Sequence, residues 1–282
     1  MYAPLNDKSI LTKFNLPALV LAAVALIPGW AGAATAQPSV YLEELTTAEV
    51  SVAIREGKTT IIIPVGGTEQ SGPHMVLGKH NIRAKALAGK VAQQLGNALV
   101  APVVAYVPEG NISPPTEHMR FAGTISIPES AFKATLDAAA RGFQQHGFLN
   151  IVLIGEHGGY QMALKAVAAG LNQGWAKSSA RAHFIGEYYR ATQTTYVQEL
   201  KAKGLTDAQI GLHAGTADTS LLMAVEPAMV RGDQLAVAAR EGVATGTRGD
   251  PRPSSAALGQ MGVDAVVGQT VTAIRNAVAA SR

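Results

Sequence analysis

A glycine-rich stretch, residues 66–81, carries three side chains that could bind a metal ion or transfer a proton: Glu69, His74 and His80. The stretch follows an apolar run, residues 59–65, and precedes a helix-like pattern. It therefore lies at the carboxyl end of a predicted strand, where open α/β sheets place their ligand sites. His74 is as well suited to a supporting hydrogen bond as to ligation.

Further candidate residues lie in loops that follow other predicted strands or that begin helices. A long loop, residues 108–123, comes after the second predicted strand, and loops of this length inside a compact domain are usually functional. A Glu-His-Gly-Gly segment follows the third strand, and residues 211–220 lead into a later helix. The side chains of interest in these loops are His118, Glu156, His157, His213 and Asp218. Asp218 could equally serve as a helix cap.

These residue types suit a divalent metal ion. Zinc and manganese bind neutral imidazole and carboxylate groups, and a catalytic site keeps one coordination position open for water. The chain has no cysteine, so any metal must be held by His, Asp and Glu. Glu69, His80 and His157 could supply three such ligands from two neighbouring strand ends.

The chain alternates buried strands with helix-like segments. Strands without a polar face imply a parallel sheet that helices cover on both sides. The repeated order of strand and helix predicts an α/β fold, a three-layer α/β/α sandwich with a mostly parallel central sheet. Predicted strands occupy residues 59–65, 98–104 and 150–154, with 183–188 as a candidate fourth, and predicted helices occupy residues 81–95, 129–146, 161–175 and 262–282.

Residues 1–36 have the layout of a secretory signal peptide. They combine a basic start, an apolar run at residues 16–27 and the small residues Ala34-Thr35-Ala36. The apolar run is shorter than the roughly 20 residues that span a bilayer, and an uncleaved anchor is the alternative. We expect a bacterial protein that is periplasmic or secreted, with residues 37–282 as a single domain.

The charge of the chain disfavours two classes of partner. The formal net charge is +3, of which residues 1–36 contribute +1 through Asp7, Lys8 and Lys13. The remaining +2 is too small and too scattered to indicate nucleic acid or, once the signal segment is removed, a membrane surface. We expect a small-molecule substrate instead.

Six short motifs, taken in order, resemble the creatininase family of metal-dependent amidohydrolases. The resemblance runs from about residue 42 to the C-terminus and implies a three-layer α/β/α fold, a homo-oligomer, one or two divalent ions, and substrates that are cyclic or linear amides. The motifs are Pro-Val-Gly-Gly-Thr-Glu-Gln (64–70), Gly-Pro-His (72–74), Phe-Ala-Gly-Thr (121–124), Glu-His-Gly-Gly (156–159), His-Ala-Gly-x-x-Asp-Thr-Ser (213–220) and Gly-Asp-Pro (249–251).

The resemblance also implies roles for individual residues, with departures. Glu69 is similar to the first carboxylate ligand of the family, and His157 to its histidine ligand. His80 stands where the family has an aspartate that bridges two metals. Ser71 replaces a histidine and Gly159 a glutamate, so two ligands of a second metal are missing.

These departures favour a single ion, because histidine cannot bridge two metals as a carboxylate does. We expect zinc or manganese bound by Glu69, His80 and His157. Glu156 or Asp218 would be the fourth ligand or the base. We further expect His118 and His213 to take part in catalysis.

The predicted activity is hydrolysis of a non-peptide carbon–nitrogen bond, in an amide, a cyclic amide or a formamide, by metal-activated water. Creatinine itself is disfavoured, since Gly159 stands where the creatinine-hydrolysing members have a glutamate. Two alternatives stay open. One is an inactive periplasmic protein that binds a small molecule on the same fold, and the other is a metal hydrolase of another bond, such as a lactone.

Overall fold

In the described part of the chain, four parallel strands form the sheet that carries the candidate site. The computed structural model describes residues 39–281. The strands are β1 (Thr60–Val65), β2 (Ala98–Val100), β3 (Asn150–Gly155) and β4 (Arg181–Phe184), in the spatial order β2-β1-β3-β4. β1 pairs with β3 along its whole length, from Thr60 opposite Asn150 to Val65 opposite Gly155.

Within residues 39–281, ten α-helices surround this sheet. The first begins at a capping box in which Thr46 and Glu49 exchange hydrogen bonds. The helices are α1 (Thr47–Arg55), α2 (Lys79–Leu95), α3 (Glu129–Gln145), α4 (Gln161–Gly174), α5 (Glu187–Gln193), α6 (Thr195–Ala202), α7 (Asp207–Ile210), α8 (Thr216–Val225), α9 (Leu235–Glu241) and α10 (Ala256–Ala280).

Two hydrophobic clusters lie on opposite faces of the sheet. On one face, Ile61 and Ile63 of β1 belong to a cluster with residues of α3 and α4. On the other, Ile62 belongs to a cluster with residues of α2, α5, α6 and α10. All six side chains of β1 are buried, as a strand covered on both faces requires. The predicted three-layer α/β/α fold with a parallel sheet is confirmed.

Two strands, β2 and β4, differ from the sequence prediction by more than one residue. β2 ends at Val100 rather than at residue 104, because regular pairing with β1 stops after the N–H of Ala101 donates to Ile62 and resumes only as an isolated bridge between Val65 and Val104. The candidate strand at 183–188 is β4, but it begins at Arg181 and ends at Phe184. Gly186 follows as the N-cap of α5, so the chain turns into a helix there.

The order of the strands leaves a crevice at their carboxyl ends. The chain leaves β1 through α2 to reach β2 on one side of it, whereas β3 and β4 lie on the other side. α2 and α4, which follow β1 and β3, pack on opposite faces of the sheet. The loops after β1 and β3 therefore diverge, and ligands of open α/β sheets bind at such a point.

The proposed signal peptide, residues 1–36, lies outside the described residues. Between residues 39 and 281, no helix combines the length and the apolar character that a membrane span requires.

Helix α10 packs closely on α8 at Gly259. A Cβ at this position would overlap the carbonyl oxygen of Ser220, whereas a Cβ at Gly268 of the same helix would meet no atom within 4 Å. We expect Gly259→Ala to lower the free energy of unfolding by about 1–3 kcal/mol through overpacking. The control Gly268→Ala should raise it by roughly 0.5–1 kcal/mol, because alanine favours the helix. Urea denaturation measures both, and equal values would contradict the packing.

Candidate metal centre

Four side chains meet at the carboxyl ends of the strands and form a candidate metal-ligand group. They are Glu69, Glu109, His118 and His157, and one potential ligand atom from each lies within 4.8 Å of those of the others. Glu69 comes from the loop after β1, and His157 directly follows β3. Glu109 and His118 both come from the long loop after β2, His118 on a 3-10 turn at Glu117–Arg120.

The two carboxylates of this group are buried and lack hydrogen-bond donors. Glu69 is 0% exposed and Glu109 is 2% exposed. Within the described chain, Oε2 of Glu69 and both side-chain oxygens of Glu109 have no hydrogen-bond partner. A buried carboxylate without a partner is costly, and a bound cation would satisfy these oxygens. The donor set, two carboxylates and two imidazoles, fits zinc or manganese.

The electrostatics of the pair point the same way. Burial alone would raise the pKa of Glu69, but the charges of Lys79 and His80 hold it well below the ordinary value. Burial, and then the negative charge of Glu69, raise the pKa of Glu109 to about 9. In the metal-free protein Glu109 therefore keeps a proton at neutral pH, which a cation would displace.

The two histidines of the group are neutral at physiological pH. Burial lowers the pKa of His157 to about 4, although the charge of Glu69 opposes the shift. Burial also lowers the pKa of His118. The Nε2 atoms of His118 and His157 lie 3.3 and 3.7 Å from Oε2 of Glu69. Metal ions bind neutral imidazole, so both rings are in the form that ligation needs.

Gln70 sets the state of His118. The N–H of Gly72 donates to Oε1 of the Gln70 amide (3.2 Å), which turns its Nε2 towards Nδ1 of His118 at 3.1 Å. In this arrangement the neutral His118 carries its proton on Nε2, which lies 3.3 Å from Oε2 of Glu69 without forming a hydrogen bond. Ligation through Nε2 would require the proton on Nδ1 and a rotated Gln70 amide. His118 can thus act as a ligand or as a hydrogen-bond donor.

His213 is placed as a proton acceptor. Its Nε2 donates to the backbone carbonyl of Gln70 at 3.0 Å, and its Nδ1 lies 3.8 Å from Oε1 of Glu69. Burial, and then the charge of Lys79, lower its pKa to about 3. The ring is neutral, with an unprotonated Nδ1 directed at the ligand group.

The sequence predicts Glu69, His80 and His157 as ligands. His80 is not one of the four residues that form the ligand group in the structure. Its Nε2 is 2.7 Å from Oε1 of Glu69, and its Nδ1 is 3.3 Å from Oε2 of Glu156. Both ring nitrogens thus face carboxylates. The structure brings Glu109 and His118 to the group, and the roles of Glu69, His80 and His157 as ligands stay predictions.

Glu156 and Asp218, the predicted fourth ligand or base, belong to a neighbouring ionic network. Glu156 accepts from Nε of Arg83 at 2.7 Å and from the hydroxyl of Tyr188. Burial would raise the pKa of Glu156, but Arg83 and His80 lower it to about 2. Asp218 accepts from Nη1 of Arg83 at 2.9 Å and from the backbone N–H of Ala214. The carboxylates of both acids accept hydrogen bonds from protein donors, next to the ligand group rather than within it.

His74 is likewise not part of the ligand group. It is 0% exposed, and its Nε2 lies 2.9 Å from Oγ1 of Thr219. Its contact is a hydrogen bond to α8, one of the two roles that the sequence left open.

Glu109 was missed by the reasoning from sequence. It stands alone between Pro108 and Gly110, with no motif around it. The only signal was its place in the long loop that the sequence marked as functional. Its contact with Glu69 joins residues 40 positions apart in the chain.

A cavity of about 400 Å³ opens above the group. His118, His157, His213 and Gln70 line it on the inner side. Its other walls are both charged and apolar, and they include Glu117, Arg120, Phe121, Leu212, Val243 and Arg248.

Comparison with known proteins assigns the chain to a family. The model of the creatininase family, described as creatinine amidohydrolase, matches residues 43–274. The chain belongs to the creatininase family. The family is one of metal-dependent hydrolases, and the predicted resemblance is confirmed.

Individual relatives agree with this assignment. The chain is 27% identical to creatinine amidohydrolase of Pseudomonas putida over 207 residues, 70% of this chain and 76% of that protein. It is 32% identical to the mycofactocin precursor peptide peptidase of Mycolicibacterium smegmatis over 185 residues. That match covers 62% of this chain and 61% of the mycobacterial protein, which is less than two thirds of its length.

Solved structures show the same fold. A crystal structure of creatininase superposes with a TM-score of 0.71 at 22% identity, covering 86% of this chain and 99% of that one. Other similar structures are described as "Creatininase Mn" and, for a mutant, as "Zn-Zn type".

The raised pKa of Glu109 predicts a pH dependence in the metal-free protein. The folded state keeps a proton that the unfolded chain releases, so Glu109 should lower stability progressively as the pH rises from about 4.5 towards about 9. Glu109→Gln cannot ionise and should remove this slope. Chemical denaturation in a chelator between about pH 5 and pH 9 measures the difference from the wild type.

The exposed Glu117 of the same loop supplies the control, since Glu117→Gln should keep the wild-type slope. Added zinc or manganese should reverse the slope in the wild type, because it binds the ionised carboxylate. A slope that survives in Glu109→Gln would contradict the assignment.

Proposed function

We propose that this protein hydrolyses a carbon–nitrogen bond, other than a peptide bond, in a small amide, cyclic amide or formamide. The observation that carries the proposal is the pair of buried carboxylates, Glu69 and Glu109, with three oxygens that have no donor among the described residues, beside two neutral histidines. Membership of the creatininase family supports it, and so do the manganese and zinc in the descriptions of similar structures.

One divalent ion, zinc or manganese, is proposed for this centre. Glu69, Glu109, His118 and His157 are the residues that would hold it. When bound, such an ion polarises a carbonyl group and lowers the pKa of water.

The residues around the group can handle the protons of hydrolysis. Nδ1 of His213 is free to accept a proton from the attacking water, because Nε2 is committed to the carbonyl of Gln70. A protonated His213 would be stabilised by Glu69, whose Oε1 lies 3.8 Å away. His213 can then return the proton to the leaving nitrogen. Gln70 orients both histidines: its side-chain amide contacts Nδ1 of His118, and its backbone carbonyl accepts from Nε2 of His213.

A second candidate is hydrolysis of a short peptide. The similarity to the mycobacterial peptidase favours it, and so does the apolar wall of the cavity, where Leu212 is 87% exposed and Val243 is 69% exposed. Parallel assays with small amides, lactones and short peptides separate the two candidates. Binding without turnover of any compound would instead favour the inactive binding protein.

We also propose export and self-association. The signal-like layout of residues 1–36 supports export, and an intact mass of the protein from the bacterial periplasm tests for cleavage near residue 36. Retention of residues 1–36 in the mature protein would contradict it. A homo-oligomer is proposed by resemblance to the family, and light scattering would measure its mass.

Removal of metal should abolish amide hydrolysis, and zinc or manganese should restore it. His213→Ala should lower kcat by about 10²-fold or more through loss of the proton acceptor, while the bound metal is retained. His146→Ala is the control, because His146 is an exposed residue at the end of α3. Steady-state kinetics with elemental analysis of each variant makes the comparison. Full activity of chelated protein, or of His213→Ala, would contradict the mechanism.

A further inference from the structure

A lysine is completely buried beside the candidate metal centre. Lys79 is 0% exposed, and its Nζ lies 3.4 Å from Oε1 of Glu69 and 3.4 Å from Oδ2 of Asp218. Lysine is almost never fully buried unless it is paired with acids. Lys79 is also the first residue of α2, where the helix dipole disfavours a positive charge. Its position is therefore maintained by the acids around it.

A second cation follows one turn later on the same helix. Arg83 is 3% exposed and contacts both Glu156 and Asp218. Residues four positions apart share one face of a helix, so α2 presents two fixed positive charges to the site.

The charges of this region leave room for one divalent ion. Four acids surround the centre, and the two cations of α2 balance two of them when every acid is ionised and the histidines are neutral. The remaining two negative charges equal the charge of one zinc or manganese ion. The four acids are Glu69, Glu109, Glu156 and Asp218.

The two carboxylate oxygens of Glu69 separate the ammonium group of Lys79 from the position of the metal ion. Its Oε1 faces Lys79 and His80, at 3.4 and 2.7 Å. Its Oε2 has no hydrogen-bond partner among the described residues and faces His118 and His157. One oxygen is committed to the protein's own cation and the other is left for the ligand group.

We propose that Lys79 is a resident cation that limits this centre to one divalent ion. Its ammonium group lies between Glu69 and Asp218, where a second metal ion would otherwise bind these carboxylates. Lys79 does not line the cavity, so it acts on the metal centre through its contact with Glu69 rather than on the substrate. The inference rests on the proposed metal-dependent function, but it concerns the number and affinity of the ions rather than turnover.

The test compares metal binding by Lys79→Gln, Lys79→Arg and the wild type. Isothermal titration with zinc and elemental analysis should give one ion in the wild type and in Lys79→Arg. Lys79→Gln should bind its first ion at least tenfold more tightly, or take up a second, because a nearby repulsive charge is gone. Lys90→Gln is the control, since Lys90 is exposed on the same helix.

Several outcomes would overturn the inference: two tight ions in the wild type, an unchanged or weaker affinity in Lys79→Gln, or the same change in Lys79→Arg. If Lys79→Gln does not fold, the double variant Lys79→Gln/Asp218→Asn removes one charge of each sign. It should bind one ion with an affinity close to that of the wild type, and a tenfold departure would count against the inference. A wild type that binds no ion would refute the proposed function itself.

A separate observation concerns the substrate. Two arginines, Arg120 and Arg248, line the cavity. Within residues 39–281, neither guanidinium has a carboxylate at ion-pair distance or a side-chain hydrogen bond. Both residues are exposed, so their charges face the space that a substrate would occupy.

The backbone fixes both arginines relative to the histidines of the site. Arg248 pairs with His213 in an isolated antiparallel bridge, in which the N–H of Arg248 donates to the carbonyl of His213 at 2.8 Å. Arg120 follows His118 by two positions on the same 3-10 turn. The rings of His118 and His213 are 4.8 Å apart, so both arginines are anchored next to the same pair of histidines and line the same cavity.

We infer that the amide this protein cleaves carries a carboxylate group, which Arg120 and Arg248 bind. Guanidinium groups pair with planar carboxylates through two parallel hydrogen bonds. This inference deepens the proposed function by naming its substrate class. A phosphate-bearing amide is the competing anion.

The test uses matched substrates, N-acyl amino acids and the same compounds with the carboxylate converted to a neutral carboxamide, together with phosphate-bearing analogues. The wild type should prefer the carboxylate by at least tenfold in kcat/KM, mainly through KM. Arg248→Gln and Arg120→Gln should lose that preference. Arg55→Gln, an exposed variant outside the cavity, should keep it.

Equal cleavage of both members of a pair, or a stronger preference for phosphate, would overturn the inference. If no compound is cleaved, the proposed function fails, and the inference is decided by binding. Metal-loaded His213→Ala should then bind the carboxylate compound at least tenfold more tightly than its neutral partner in isothermal titration. Equal binding would overturn it.

Discussion

Buried negative charge is the constraint on which the rest of this structure depends. Glu69 and Glu109 lie together in the interior, and protein donors reach only one of their four oxygens among the described residues. Two adjacent carboxylates cannot both ionise without a cation, and burial makes the cost larger. The buried lysine and the proton that Glu109 retains are consequences of that charge, whereas burial keeps His118 and His157 neutral in spite of it.

The sheet makes this concentration of charge geometrically simple. β1 lies at the centre of the parallel sheet, and the connections after β1 and β3 leave towards opposite faces. This divergence alone creates a crevice at the carboxyl ends of the strands. The long loop after β2 closes over it and brings Glu109 and His118. Fold and site are thus separable, since the sheet gives the place and the loops give the chemistry.

The sequence was informative wherever a feature is local. β1, β3 and the helices that follow them were predicted because apolar runs and caps are read from neighbouring residues. Glu109 could not be found in this way, because its partner lies 40 positions away and nothing near it marks the contact. The place of His80 in the motif likewise does not show that its ring lies between Glu69 and Glu156.

The long loop after β2 has one further consequence. The chain contains no cysteine, so no disulfide can close this loop. Its two site residues, Glu109 and His118, meet Glu69 and His157 from other segments. A metal ion held by all four would cross-link three connections of the sheet at a single point. Loss of the ion would then release the loop to proteolysis, so the metal would govern the lifetime of the protein as well as its chemistry.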